Sequence, residues 1–322
     1  MRRPSIVLSI SLLAASVAIA GCPWGMPISG QTPPPNDPSK QFNVDNEKQE
    51  LNALIDSEAV RPYFDPSKLI NDGVGIFASD GESEDLLPRR WGRSYPKTVQ
   101  AASERIVDQM AIDFRTDAQS VLTAEATFSV TRAARFVADF AWQNRLVTKS
   151  YNEAAERKAR FVKQNGQWRL VSLSPMTLGV TPSGKVSLDL VRLKVDGAAP
   201  ILIRDGSLLD SSQAPRVKPL QAATVEVHAT YTGTSTDQPP YYLFLSLPPG
   251  RDRLRLHDDG LAGDTLAGDG LYAATFNFPA DTGLHHMVID AVSSSTFTDL
   301  GSNAYDASLW GISYLVQGGE AL

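Results

Sequence analysis

Four aspartates and four glycines crowd into one short stretch, Asp258-Asp259-Gly260-Leu261-Ala262-Gly263-Asp264-Thr265-Leu266-Ala267-Gly268-Asp269-Gly270-Leu271-Tyr272. The stretch echoes itself, Ala262 to Leu266 and then Ala267 to Leu271. Carboxylates and loop carbonyls are the hard oxygen ligands that Ca²⁺ takes, about six to eight of them. Glycines let the backbone turn tightly enough to aim carbonyls inward. Asp258, Asp264 and Asp269 are the candidate side-chain ligands, with Asp259 a fourth. The spacing is not that of an EF-hand, which alternates acidic positions and ends in Glu. The same residues also suit turn chemistry, because Asp caps its own backbone and Asp-Gly is a favoured hairpin turn. Either way the role is structural: a calcium ion here would stiffen a long connection between strands. The other residue with chemistry to offer is Cys22, the only cysteine in 322 residues. It closes the run Ile19-Ala20-Gly21-Cys22, after an uncharged, mostly apolar segment (Ile6 to Ala20) and a basic start, Met1-Arg2-Arg3-Pro4-Ser5.

That order of basic, apolar and small residues is an export signal, too short to span a bilayer as a helix. Its end resembles the lipobox of bacterial lipoproteins. The resemblance implies that residues 1–21 are a signal peptide and that the Cys22 thiol takes a diacylglycerol thioether, becoming the acylated first residue. An ordinary secretory signal with an incidental cysteine is the alternative. Pro23 stands where, in Gram-negative lipoproteins, an aspartate favours inner-membrane retention, so the resemblance implies the outer membrane. The aspartate stretch in turn resembles the DDGxxGDxxAGDGxY element of immunoglobulin-like domains in bacterial surface and exported proteins, and matches it at every position.

The formal charge is −6, and −8 once Arg2 and Arg3 leave with the signal. An acidic exported protein is a poor partner for nucleic acid. A hydrophobic fraction of 42% is enough for packed cores. From Cys22 to about residue 45, Pro33-Pro34-Pro35 and Pro38 stand among Gly, Gln, Asn and Ser, and the segment reads as a disordered tether.

Leu51, Leu54 and Ile55 at helical spacing predict one amphipathic helix ending before Pro62. Asn71-Asp72-Gly73 and Asp80-Gly81 mark a loop, and Ser103 to Met110 a helix or a first strand. Ala126 to Thr131 alternates as a strand. Lys158–Lys163 and Trp168–Leu173 flank Asn165-Gly166, the signature of a hairpin with a type I′ turn. The helix, Trp91-Gly92-Arg93 and the closing strands Arg160 to Pro175 together resemble the nuclear transport factor 2-like fold. That implies an α+β domain over 46–180, a curved antiparallel sheet wrapped as a cone around a pocket. Beyond Thr181-Pro182-Ser183-Gly184, short strands separated by Gly, Pro, Asp and Ser predict an all-β immunoglobulin-like sandwich over 181–322. Its strands are expected at Val186–Val195, Ala223–Tyr231, Tyr241–Leu247, Leu254–His257, Leu271–Phe278, His286–Val292 and Ser308–Val316.

The four histidines, His228, His257, His285 and His286, all lie in the second half. His285 and His286 are adjacent and would point to opposite faces of a strand. A base in the cone would therefore be Asp113, Asp139, Tyr95 or Tyr151. Trp91, Trp142, Trp168, Phe114, Phe128 and Phe161 could line a pocket or form its core. Tyr241-Tyr242 after Pro239-Pro240 could be an exposed patch or packed residues. There is no nucleophile elbow, phosphate loop, zinc motif or dinucleotide fingerprint. The sequence points to a lipid-anchored envelope protein that binds or scaffolds, its partners the membrane and an envelope protein or glycan. The alternatives are an enzyme or small-ligand carrier in the cone pocket, and an adhesion or carbohydrate-binding module.

Overall fold

The computed structural model describes residues 43–65, 87–88, 90–95, 110–116, 121–140, 145–182, 184–210, 214–234, 239–247 and 253–318. The signal segment, Cys22 and nearly all of the tether lie outside the described residues, as do Trp142 and the loops at 71–73 and 80–81.

Helix α1 (Val44–Ile55) starts where Asn43 accepts the amides of Asp45 and Asn46, a side-chain N-cap. It buries Leu51, Leu54 and Ile55, and a single 3₁₀ turn, Arg61–Tyr63, follows. The other described elements are mostly strands: β1 (Arg90–Ser94), β2 (Met110–Thr116), β3 (Leu122–Phe140), β4 (Arg145–Gln164), β5 (Gln167–Leu173), β6 (Met176–Thr181), β7 (Val186–Val195) and β8 (Ile201–Arg204). There follow β9 (Leu209–Asp210), β10 (Arg216–Val217), β11 (Ala222–Tyr231), β12 (Tyr241–Ser246), β13 (Arg253–Leu256), β14 (Tyr272–Asn277), β15 (Gly283–Ser293), the one-turn helix α2 (Ser295–Thr298) and β16 (Ala307–Val316).

The long hairpin β3–β4 pairs from Thr123↔Val162 to Phe140↔Arg145. Along β3 the even positions Ala124, Ala126, Phe128, Ala134, Phe136, Ala138 and Phe140 all point inward, the period-2 pattern of a half-buried strand. The β4–β5 turn has Asn165 at φ 52° and Gly166 at φ 75°, the two positive values a type I′ turn needs.

Most strands join one sheet in the order β1-β3-β4-β6-β16-β15-β12-β13, with β2, β5, β9 and β10 on its flanks; β14-β11-β7-β8 form a second sheet. The strands of the first half and those of the second meet where β6 pairs β16, Met176↔Gly311 to Gly179↔Ser308. The leaf β12-β15-β16 is buried on both faces. Tyr241, Leu243, Leu245, Met287, Ile289, Trp310 and Ile312 face the second sheet in an outer core. Tyr242, Phe244, Val288, Val292 and Leu309 face β1, β3 and β4 in an inner core.

This arrangement corrects the expected fold class. Of the described residues 59% are in strands and 9% in helices, so this part of the chain is mostly β, with curled sheets, and not an α+β cone wrapped around a helix. The physical reason lies in β12, β15 and β16. Their apolar runs carry a second hydrophobic face, and covering it brings the C-terminal leaf onto the concave side of β1, β3 and β4. The large sheet thereby curls until its ends meet: Arg253 of β13 donates to the Trp91 carbonyl of β1 at 3.1 Å.

Candidate functional site

The aspartate stretch connects β13 to β14, and a single bridge, His257↔Ala273, closes its base. Its shape is set by carboxylates that accept backbone amides. Asp258 takes the N–H of Gly268 at 2.6 Å, Asp269 at 3.2 Å and Gly270 at 3.0 Å. Asp264 takes Gly260 at 2.6 Å and Leu266 at 3.1 Å. Asp259 and Asp269 each cap the amide two residues on, those of Leu261 and Leu271. These bonds hold the Asp264 carboxyl below its usual range, the Gly260 amide contributing most. Gly263 is required twice over. Its φ is 102°, and a Cβ there would sit 2.7 Å from the Thr224 methyl and 2.9 Å from that of Thr275. The turn chemistry is thus present in full.

The same bonds converge three carboxylates. One oxygen each from Asp258, Asp264 and Asp269 lie within 4.8 Å of one another. Oxygens on opposite sides of a Ca²⁺ ion stand about 4.6–5.2 Å apart, twice the bond length, so the trio fits that ion in chemistry and in span. Asp259 is not part of it; its carboxylate is committed to Leu261. Beside the trio Leu261 and Leu266 stand 66% and 63% exposed, while Tyr241 and Tyr242 are buried and form no surface patch. The Tyr241 hydroxyl donates to the Ala229 carbonyl at 2.7 Å.

The aromatic residues of the first half fill space. Trp91 meets Phe136, Phe244 and Phe297 with ring centroids 5.3 to 5.7 Å apart, and Phe297 of α2 also reaches Tyr242. Phe114 lies against Trp168, whose indole N–H donates to Glu47. Of the candidate bases, Asp113 is exposed and Asp139 half-buried on β3. Tyr95 lies under the Arg132 guanidinium at 3.7 Å, and Tyr151 donates to Glu153 at 3.0 Å. Burial pushes both phenols upward, so each stays protonated in the neutral range.

Sequence reasoning missed the charged groups inside the inner core. Arg93 donates to Asp290 at 2.8 Å with both side chains within 2% of full burial. Arg253 stacks on the Trp91 ring at 3.5 Å, with its Nε 3.9 Å from the same carboxylate. Burial lowers the Arg253 pKa to about 10, against the pull of Asp290. Lys149 caps the carbonyls of Asp299 and Ala304 at 2.7 and 2.8 Å, and Glu153 holds Arg132 at 2.7 Å. A polar groove of about 380 Å³ lies outside, along β3, β4 and β6, with Ser129, Thr131, Glu156 and Asp205 in its wall. The only sequence signal for the buried ions was a charge within an apolar run, as at Asp290 in Met287-Val288-Ile289-Asp290-Ala291-Val292.

Of the histidines, His286 is buried beside Ser313 and His285 reaches the Asp281 carbonyl from the other face of β15. His228 pairs with Asp189 at 3.1 Å on the surface of the second sheet. No protein-family model matches the chain, and no curated protein matches it significantly.

Proposed function

We propose that this chain is a lipid-anchored cell-envelope protein whose β-rich body works by binding or scaffolding, with the aspartate loop a calcium-stiffened connector. The observation that carries the binding reading is the filled inner core. Trp91, Phe136, Phe244 and Phe297 pack ring against ring where a small-molecule pocket would have to open. Anchoring rests on Cys22 and the segment before it. Two or more acyl chains hold stably where one is marginal, at about 0.8 kcal/mol per buried methylene. Calcium rests on the carboxylate trio.

Anchoring is tested by metabolic labelling with an alkyne fatty acid, followed by membrane fractionation. The native chain takes the label and sediments with outer membranes. Cys22→Ser takes none, and a labelled Cys22→Ser would overturn the assignment. For calcium, the melting temperature of the full chain is compared with calcium and with chelator, since a ligand bound only by the folded state stabilises it. A rise that disappears in Asp264→Asn supports the connector; no rise at millimolar calcium leaves the loop as turn chemistry alone.

A further inference from the structure

Arg157 of β4 is a cation without a counter-ion. Its side chain is 2% exposed. Its Nε donates to the Ser174 carbonyl at 2.9 Å, its Nη1 to the Tyr63 carbonyl, and its Nη2 to the Ser313 hydroxyl at 3.0 Å. All three acceptors are neutral, and among the described residues no carboxylate pairs with it. The other arginines of the inner core differ: Arg93 holds Asp290, Arg253 stands 3.9 Å from the same carboxylate, and Arg132 holds Glu153. Burial lowers the Arg157 pKa to about 9, so the charge persists at neutral pH. An unpaired ion in an apolar interior costs several kcal/mol, and proteins ordinarily offset it with an opposite charge.

A cavity of about 10 Å³ adjoins this guanidinium, with Ser174 and Ser313 on its polar side and Leu209, Ala214 and Ile312 among its apolar walls. That is room for about one water-sized particle. The Ser313 hydroxyl accepts from Arg157 and stands 3.1 Å from Nδ1 of His286; when that nitrogen carries its proton the hydroxyl accepts from both, and its own proton is left for a guest. We propose that this cavity binds one small monovalent anion, of the size of chloride, as the counter-ion of Arg157. Sulfate and phosphate are too large for it, and a neutral water would leave the charge unbalanced. The site would join three parts of the fold, the turn after α1, the β5–β6 corner and β16.

The test is thermal unfolding of the full chain at constant ionic strength, with chloride replaced stepwise by gluconate. The melting temperature is expected to rise with chloride along a saturating curve, by about 2–4 °C. Ala214→Val, which fills the cavity and leaves every Arg157 bond in place, should abolish the rise. Arg157→Met should do the same; if that variant does not fold, Ala214→Val decides. In crystals soaked with bromide, one anomalous peak is expected within hydrogen-bond distance of Arg157 and Ser313. The proposal is overturned by a melting temperature indifferent to chloride, by a chloride effect unchanged in Ala214→Val, or by a cavity that holds water and no bromide.

Discussion

The two cores of this molecule are built on different terms. The outer core, between the second sheet and the leaf β12-β15-β16, is aliphatic and aromatic throughout, from Val191 and Leu193 to Leu243, Ile289 and Trp310. The inner core, on the other face of that leaf, is far richer in aromatics and also encloses Arg93, Asp290, Arg253, Glu153, Lys149 and Arg157. A dry core is stabilised by area and shape, and any apolar set of the right volume serves nearly as well. A core with buried ions depends on partners: each charge is tolerable only while its particular neighbour is present. The difference teaches where this fold is specified. The outer core holds the two sheets together, whereas the Arg93–Asp290 pair and Arg253 on Trp91 tie β1 to β15 and β13 where the large sheet closes on itself.

The largest effect that would test this contrast is the loss of Asp290. Asp290→Ala leaves Arg93 buried without its carboxylate and is expected to cost about 4 kcal/mol in a denaturant titration. Replacing Arg93 and Asp290 together by Met and Leu should recover most of it, because the cost lies in the stranded charge. Leu243→Ala in the outer core should cost somewhat less, about 3 kcal/mol, from lost burial and the cavity left behind. The comparison breaks if Leu243→Ala proves the more damaging, or if the double replacement is no better than Asp290→Ala.

Smaller effects sharpen the contrast at the surface. Asp264→Asn should cost about 1 kcal/mol at neutral pH, since two backbone amides lose a charged acceptor. The folded state holds this carboxyl below its ordinary 3.8. Its contribution is therefore present above that value and is lost as the pH falls through the folded pKa. Melting curves of the native and Asp264→Asn chains should differ at pH 7 and converge once the pH has fallen below the folded pKa of Asp264. A constant difference across that range would remove the carboxylate from the account. Gly166→Ala is the mildest: with φ at 75° and open space around it, only backbone strain is added, about 1 kcal/mol by denaturation.

Much of the local structure could be read directly. Val186–Val195 is β7 to the residue, and the other strands expected in the second half stand within a few residues of where alternation placed them. Asn165-Gly166 is the turn its residues require. The aspartate loop is legible too, since Asp and Gly at those offsets bend the chain locally. Other features resisted. Glu226 alternates with Val225 and Val227, a pattern that reads as solvent-facing, yet it is buried and paired with Arg192, directly opposite on β7, and with Lys194. Tyr241–Leu247 reads as a strand and β12 spans Tyr241–Ser246, but its apolar run also means burial on both faces, which alternation alone does not convey.

The sequence by itself determined the elements: where strands begin, where turns fall, and which loop gathers carboxylates. These are local properties, written in residues a few positions apart. Only the tertiary structure decided that β6 pairs β16 across the middle of the chain, that the C-terminal leaf fills the space a pocket would occupy, and that Arg93 finds Asp290. Those contacts join residues more than a hundred positions apart. Their choice follows from burying every apolar face at once while leaving each interior charged group hydrogen-bonded, a condition on the whole chain that no short segment contains.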